Sequence, residues 1–379
     1  MNKFVRPLMA LALATICGVG AHAGEYLPET GFGNDSYSSQ MNYDSFNMSV
    51  KKRMETMRIG SIGQSFGRFN TAELISSDEA YAMAPSSRTG SYSSSRRRQL
   101  DCVYYSGFTV WADLYQTWAK QRSRGNHEGY KHKVFGPAVG FDWTSGPFSI
   151  GGAMTYNWGK MKGRDISHDR KTRQWAIDLY GQYNAELYYI NGIIGYGHNT
   201  LRSDRPVPSG GANGDKYSTN SFNIEAEFGY KFNWSGLQVS PHVGVRYFAD
   251  RRGSISEGAG PYAVHANTRN YHVFELPVGV TVGYEINTNG MIFVPRARFG
   301  YTPELFRKDN SWGGTYNGGA GAVYSYSESG ARRSRHGFNL GLGMEAKITK
   351  SLSAHVDYNC NFRPKQYEHH WNLGMGFSF

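Results

Sequence analysis

The stretch 222–232, FNIEAEFGYKF, decides what kind of protein this is. Phe222, Ile224, Ala226, Phe228, Tyr230 and Phe232 alternate with Asn223, Glu225, Glu227, Gly229 and Lys231. A period of two places the first set on one face of an extended strand and the second on the other. Two glutamates and a lysine on the inner face are poor material for a dry sandwich core. A wet lumen accepts them, provided the apolar face meets lipid. The pattern recurs where Phe338, Leu340, Leu342, Met344, Ala346 and Ile348 oppose Asn339, Gly341, Gly343, Glu345 and Lys347. It recurs again where Leu352, Ala354, Val356, Tyr358, Cys360 and Phe362 oppose Ser353, His355, Asp357, Asn359 and Asn361. At 368–379, EHHWNLGMGFSF, an apolar stripe of Trp371, Leu373, Met375, Phe377 and Phe379 faces away from Asn372, Gly374, Gly376 and Ser378.

Extending this reading in both directions predicts strands near 107–121, 131–143, 147–160, 172–184, 186–201, 219–233, 237–249, 271–286, 291–302, 337–348, 352–362 and 368–379. Their connections alternate in length. Tight turns are expected at Thr144–Gly146, around Ala185, at Trp234–Gly236, Asn287–Gly290 and Thr349–Ser351. The interleaved connections are mostly longer: Arg122–Tyr130, Met161–Lys171, Arg202–Ser218, Asp250–Asn270, Pro303–His336 and the short Arg363–Tyr367. Short turns on one rim and long loops on the other are the signature of an outer-membrane barrel with periplasmic turns, whereas a soluble sandwich has no reason to sort its loops by length. The expected fold is therefore all-β, a 12-stranded antiparallel transmembrane barrel. Cations including Lys160, Lys162, Lys171, Arg173, Arg202, Arg205, Arg251, Arg252, Arg307 and Arg333 gather in or beside the long loops. A cationic collar there would meet phosphate headgroups of the outer leaflet, although solvated basic loops would read the same way. The net charge of +11 does not suggest nucleic acid, since an exported barrel meets none.

Composition agrees. With Tyr 27, Phe 21, Gly 47 and only 19% charged residues, the chain leans towards an aromatic, glycine-rich β protein. Lys3 and Arg6 precede an apolar run, Leu8–Val19, that ends in Ala21-His22-Ala23, the pattern of a secretory signal peptide cleaved near Ala23. A lipoprotein signal on Cys17 is disfavoured by Ile16 before it. Cleavage would leave Cys102 and Cys360, which the topology puts towards opposite ends of a barrel, so a bridge is not expected. No later segment reaches the roughly 18 consecutive apolar residues of a transmembrane helix. Residues 24–105 are rich in Ser, Tyr, Asn, Gly and Arg and read as a short, partly flexible passenger or linker with one or two short helices, the candidates being Asp44–Arg58 and Thr71–Met83.

VWADLYQTWAKQ (110–121), GPAVGFD (136–142), IGGAMTYNWGKM (150–161) and FNIEAEFGYKFNWSGLQVSPHVGVRYF (222–248), in this order and spacing, resemble the β-domain of autotransporters. The resemblance covers residues 106–379 and implies a translocator barrel in the bacterial outer membrane, with a helix threaded through its pore and a terminal strand read by the barrel-assembly machinery. Trp371, Leu373, Met375, Phe377 and Phe379 would carry that assembly signal. NMSVKKRMETMRIG (47–60) is similar to the family's pre-barrel helix, with Lys51, Lys52, Arg53 and Arg58 as its basic groups, yet about 45 residues separate it from the first strand. Thr71–Met83 is therefore a rival pore helix. The inward groups expected to line the lumen and meet the helix are Asp113, Asp142, Asp178, Glu225, Glu227, Lys231, Arg246, Arg296, Arg298, Glu345 and Asp357. A water-filled lining with no specific partner is the plainer alternative.

Catalysis is not expected. His168 with Asp169, His369 with His370, and Asp357 near His355 offer titratable groups but no constellation, and there is no H-E-x-x-H, C-x-x-C pair or Walker loop. No cofactor or metal is implied. The reading is a monomeric barrel that anchors, and exports or displays, a short N-terminal segment among outer-membrane lipids including lipopolysaccharide. Its alternative is a channel or adhesin barrel without secretion activity.

Overall fold

The computed structural model describes residues 32–60, 107–123, 129–163, 169–206, 212–258, 260–308, 311–318, 322–329 and 333–379. The signal sequence, Cys17, Cys102, the Thr71–Met83 segment and the arginine run at 96–98 lie outside these residues. Among the described residues one α-helix, α1 (Asp35–Gly60), precedes twelve staves. They are β1 (Gly107–Gln121), β2 (Tyr130–Ser145), β3 (Phe148–Gly163), β4 (Asp169–Asn184), β5 (Tyr188–Pro206) and β6 (Ala212–Tyr230, continued by Phe232–Trp234). There follow β7 (Leu237–Arg252), β8 (Arg269–Glu275, Val278–Tyr284 and Ile286–Thr288), β9 (Met291–Arg307), β10 (His336–Lys347), β11 (Leu352–Arg363) and β12 (Gln366–Ser378). Each pairs antiparallel with its neighbours, and β12 pairs back to β1 with Leu373 opposite Leu114, so the sheet closes. Closure satisfies every ladder within the sheet, which is what a strand structure needs in lipid.

The five short connections share one rim. Two of them, Ser235-Gly236 and Asn289-Gly290, have positive φ at both central residues (44° and 88°, 49° and 79°), the mirror-image turn whose twist matches the flanking strands. Pro277 cannot donate to a ladder, and β8 is interrupted there. Its carbonyl still accepts from Gly244 N at 2.7 Å, and Leu276 N donates to Pro303 O at 3.0 Å, so the sheet stays continuous.

At the other rim the strands outrun their expected ends. β5 extends to Pro206 and β6 starts at Ala212, so most of the anticipated loop 202–218 is hairpin. The segments anticipated as loops at 250–270 and 303–336 also differ from expectation. They contribute a separate four-stranded sheet made of Ile255–Ser256, Val264–Ala266, Ser311–Asn317 and Val323–Ser329. Its central pairing sets His265 against Thr315, fifty residues apart, a contact that no local pattern announces. Tyr316, Val264, Ala266 and Ile255 of this sheet bury with Leu201, Tyr217 and Phe32, so the cap sits over the start of α1.

Candidate functional site: the filled lumen

The helix α1 has no apolar stripe, and Ser, Asn, Asp and Tyr dominate its first half. Such residues favour caps and turns because their side chains compete for backbone hydrogen bonds. Here the inner wall of the barrel satisfies them instead. Ser39 Oγ lies 2.8 Å from Thr219 Oγ1, Ser45 Oγ 2.8 Å from Thr117 Oγ1, and Asn42 Oδ1 2.9 Å from His132 Nε2. Tyr43 Oη donates to Asp178, and Gln40 Oε1 accepts from Tyr271 and Arg333. Helix residues Tyr37, Met41, Phe46, Val50 and Met54 are each at most 2% exposed and pack on wall aromatics such as Trp111, Tyr115 and Phe248. The helix therefore begins nine residues ahead of the expected Asp44, because its environment overrides local propensity.

Charge sorts along the helix. Near its start Asp35 pairs with Arg170, lies 3.5 Å from Arg252 and accepts from Tyr217 Oη at 2.9 Å. Asp44 pairs with Arg246, which also reaches Glu275 at 3.2 Å. Beyond its midpoint the signs reverse. Lys51 meets Glu225 at 2.5 Å and Lys52 meets Asp357 at 2.8 Å. Arg53 grips both oxygens of Asp142 at 2.7 and 2.8 Å, and the Arg58 guanidinium sits 3.8 Å from the Tyr189 ring centroid. Glu55 is the exception to the basic half. It takes Arg298 at 2.5 Å and Arg296 at 3.9 Å, and Arg296 also reaches Glu345 and Asp357. Acid first and base last also complements the helix dipole.

The remaining inward groups have other partners. Asp113 accepts from Asn372 at 3.1 Å, and that same Asn372 donates to Ser49 of the helix. Glu227 accepts from Tyr189 and Asn191. Lys231 donates to Asn184 and to the Ala185 carbonyl at the short-turn rim. Sequence alternation says nothing of Asp35 and Asp44, the acidic start of the helix, of Arg170 and Arg252 around it, or of the wall carboxylates Glu275 and Glu304 that hold Arg246 and Arg333. The helix half lay in a segment that reads as flexible. Arg252 and Arg333 turn inward rather than joining an outer collar, and so does Arg205, whose partner is Glu257 at 2.5 Å. His369 and His370 point to opposite faces: His369 bonds Tyr358 at 2.6 Å outside, and His370 bonds Thr117 at 2.8 Å inside. Among the described residues Cys360 has no disulfide partner, and Cys102 lies outside them.

The apolar stripe of β12 faces outward, with Trp371 46%, Leu373 59%, Met375 62%, Phe377 48% and Phe379 69% exposed, which marks it as lipid-facing. Phe379 N donates to Phe108 O at 2.9 Å, extending the seam with β1 to the rim.

A closed twelve-stave barrel with lipid-facing apolar bands and a helix through its lumen defines the class: an outer-membrane translocator barrel. The chain belongs to the autotransporter family, whose β-domain profile matches residues 110–359. It is similar to outer membrane protein A of Rickettsia rickettsii, 23% identical over 288 residues that cover 72% of this chain and 13% of that protein. The chain thus spans a small fraction of such a relative's length. The translocator domain of the autotransporter NalP from Neisseria meningitidis shares the fold, with a TM-score of 0.57 at 13% identity over 84% of this chain and 98% of that one. So does the β-domain of the Bordetella autotransporter BrkA, with a TM-score of 0.56 at 16% identity over 72% and 100%. The barrel is accordingly an autotransporter translocator domain of the bacterial outer membrane.

Proposed function

We propose that this barrel anchors a short N-terminal segment and that α1 stays in the lumen as a resident plug. One observation carries the reading: every charged side chain of α1 meets an opposite charge on the inner wall or within the helix. Withdrawing the helix would exchange these short contacts, and the buried faces of Tyr37, Met41, Phe46 and Val50, for the hydration of an empty pore. Asp35 lies at the long-loop rim and Arg58 at the short-turn rim, a direction that supports display of the residues ahead of α1 on the cell surface.

On this reading residues 1–23 are a signal peptide removed near Ala23, residues 24–105 a short passenger and linker, and residues 106–379 the barrel. The partners are outer-membrane lipids, lipopolysaccharide among them, and the barrel-assembly machinery during insertion. The protein works as a monomer without nucleic acid. In assembly, the stripe Trp371, Leu373, Met375, Phe377 and Phe379 is the recognised signal, since an unpaired edge strand is open to strand addition before closure. Deleting Phe379 should lower the amount of barrel reaching the outer membrane while leaving the urea midpoint of inserted protein nearly unchanged. Normal accumulation would reduce the stripe to its lipid-facing role.

Planar-bilayer conductance separates the plug from the alternative, a channel or adhesin barrel without secretion. The intact protein should pass little current, and deletion of residues 32–60 should open stable pores. Full-size pores in the intact protein would sink the plug. Protease treatment of intact cells addresses display: cleavage ahead of α1 supports it, and full protection excludes it.

A further inference from the structure

The outward face near the long-loop rim carries an arrangement that strand pairing normally avoids. Lys133 on β2, Lys160 on β3, Lys171 on β4, Arg202 on β5 and Lys216 on β6 stand directly opposite one another in sequence across five consecutive staves. All five are exposed. Adjacent staves lie about 4.8 Å apart, so the row runs for roughly 19 Å along the barrel. Like charges directly opposite in a sheet repel. A second cationic pairing, Lys131 with Lys162, lies immediately above the row, and Arg173 lies immediately below it. The counter-charges are sparse and solvent-exposed. Lys160 and Lys162 share Asp169 at 3.1 and 3.9 Å, and Arg202 lies 3.8 Å from Asp204. Among the described residues Lys133, Lys171, Arg173 and Lys216 have no carboxylate partner.

Depth gives the row its meaning. Towards the short-turn rim the same face carries exposed aromatics, Phe135 and Trp158 two residues below the row, Tyr156 and Trp175 four below it and Tyr196 six below it, an aromatic girdle of the kind that marks a lipid interface. Two residues along a strand rise about 7 Å, so the cations stand above the girdle at headgroup depth, nearest to it on β2 and β3. The opposite half of the barrel is built otherwise near the same rim. There cross-strand pairs of Tyr247 with His272, Tyr301 with His336 and Tyr358 with His369 hydrogen-bond each other at 2.6 to 2.7 Å.

We infer that the outward face of β2–β6 is a binding site for phosphate-bearing glycolipid headgroups of the outer leaflet, held by Lys133, Lys160, Lys171, Arg202 and Lys216. Several phosphates side by side would neutralise a row for which the protein itself supplies only Asp169 and Asp204. The acyl chains would lie on the aromatic girdle beneath. The site gives the barrel a lipid-gripping side and a plain side, independent of whether α1 is resident or released.

The test uses the full chain in detergent, with native mass spectrometry to count retained lipid. The probes are a diphosphorylated outer-leaflet glycolipid and the same glycolipid after phosphatase treatment. The wild type should retain the phosphorylated form, and a Lys133→Gln/Lys160→Gln/Lys171→Gln variant should retain it about tenfold less or lower. A control variant, Arg251→Gln/Lys308→Gln/Arg335→Gln, should retain as much as the wild type. In detergent neither variant's thermal midpoint should fall below that of the wild type, excluding misfolding as the cause. Equal retention by the first variant and the wild type, or equal retention of the dephosphorylated lipid, would overturn the site.

Discussion

Lysine and arginine occur in two settings in this barrel, and the settings obey opposite rules. Inside, Arg53 lies against Asp142, Lys52 against Asp357, Arg298 against Glu55 and Arg246 against Asp44 and Glu275, nearly all withdrawn from solvent. Outside, Lys133, Lys160, Lys171, Arg202 and Lys216 follow one another with two exposed carboxylates nearby. Burial explains the difference. A charge taken out of water without a partner costs several kcal/mol, so an enclosed lumen must neutralise itself. A charge on the outer rim stays hydrated and can afford to wait for a partner from another molecule. The lumen is closed chemistry; the outer belt is open.

The largest expected effect comes from breaking the closed side. Arg53→Met leaves Asp142 buried beside Tyr180, whose hydroxyl alone cannot replace a bidentate guanidinium. The urea midpoint for release of the helix or unfolding of the barrel should fall by the equivalent of about 3–5 kcal/mol. Adding Asp142→Leu should recover most of the loss, because the unpaired charge is then gone. A single-variant cost below about 1 kcal/mol would mean that water reaches Asp142 freely and that the lumen is not closed in this sense.

How far the sequence exposes this organisation depends on the range of the interaction. Period-two alternation fixes the side of the sheet for a residue such as Glu225 or Phe228, because a slip by one residue would send every apolar side chain into the lumen. Twelve staves and their rim-sorted turns follow from the same local signal. Partners do not. Asp142 and Arg53 are 89 residues apart, and their meeting depends on how a helix lies in a pore. The stretch DSYSSQMNYDSF at 35–46 has weak helix formers at every position but Gln40 and Met41, and its helicity is supported by Thr117, Thr219, His132 and Asp178 on the wall. The capping sheet needs Val264–Ala266 to find Gly314–Tyr316 across a barrel hairpin. The basic residues of the outer rim are visible as a crowd, but their alignment into one row is a consequence of register between successive staves. It is also register, not composition, that separates Arg205 and Arg252, turned to Glu257 and Asp35, from their neighbours Arg202 and Arg251 on the outside.

The smallest expected effect is the more discriminating one, because its sign changes with the surroundings. Lys133→Glu puts an anion opposite Lys160 and replaces a repulsive cross-strand pair by an attractive one. In a neutral detergent, with nothing bound to the belt, this should stabilise the barrel by about 0.2–1 kcal/mol, read as a small rise in the urea midpoint. In vesicles containing phosphorylated glycolipid the same substitution should lower the midpoint relative to the wild type, because it breaks a row that the lipid phosphates bridge. Raising ionic strength should shrink both shifts, since exposed charges are screened within about 10 Å at 0.1 M salt. No such reversal is expected for a lumen residue, whose partner is the protein in either medium. A Lys133→Glu protein that shifted in the same direction in detergent and in glycolipid would show that repulsion within the belt is merely tolerated, and the contrast between closed lumen and open rim would lose its functional half.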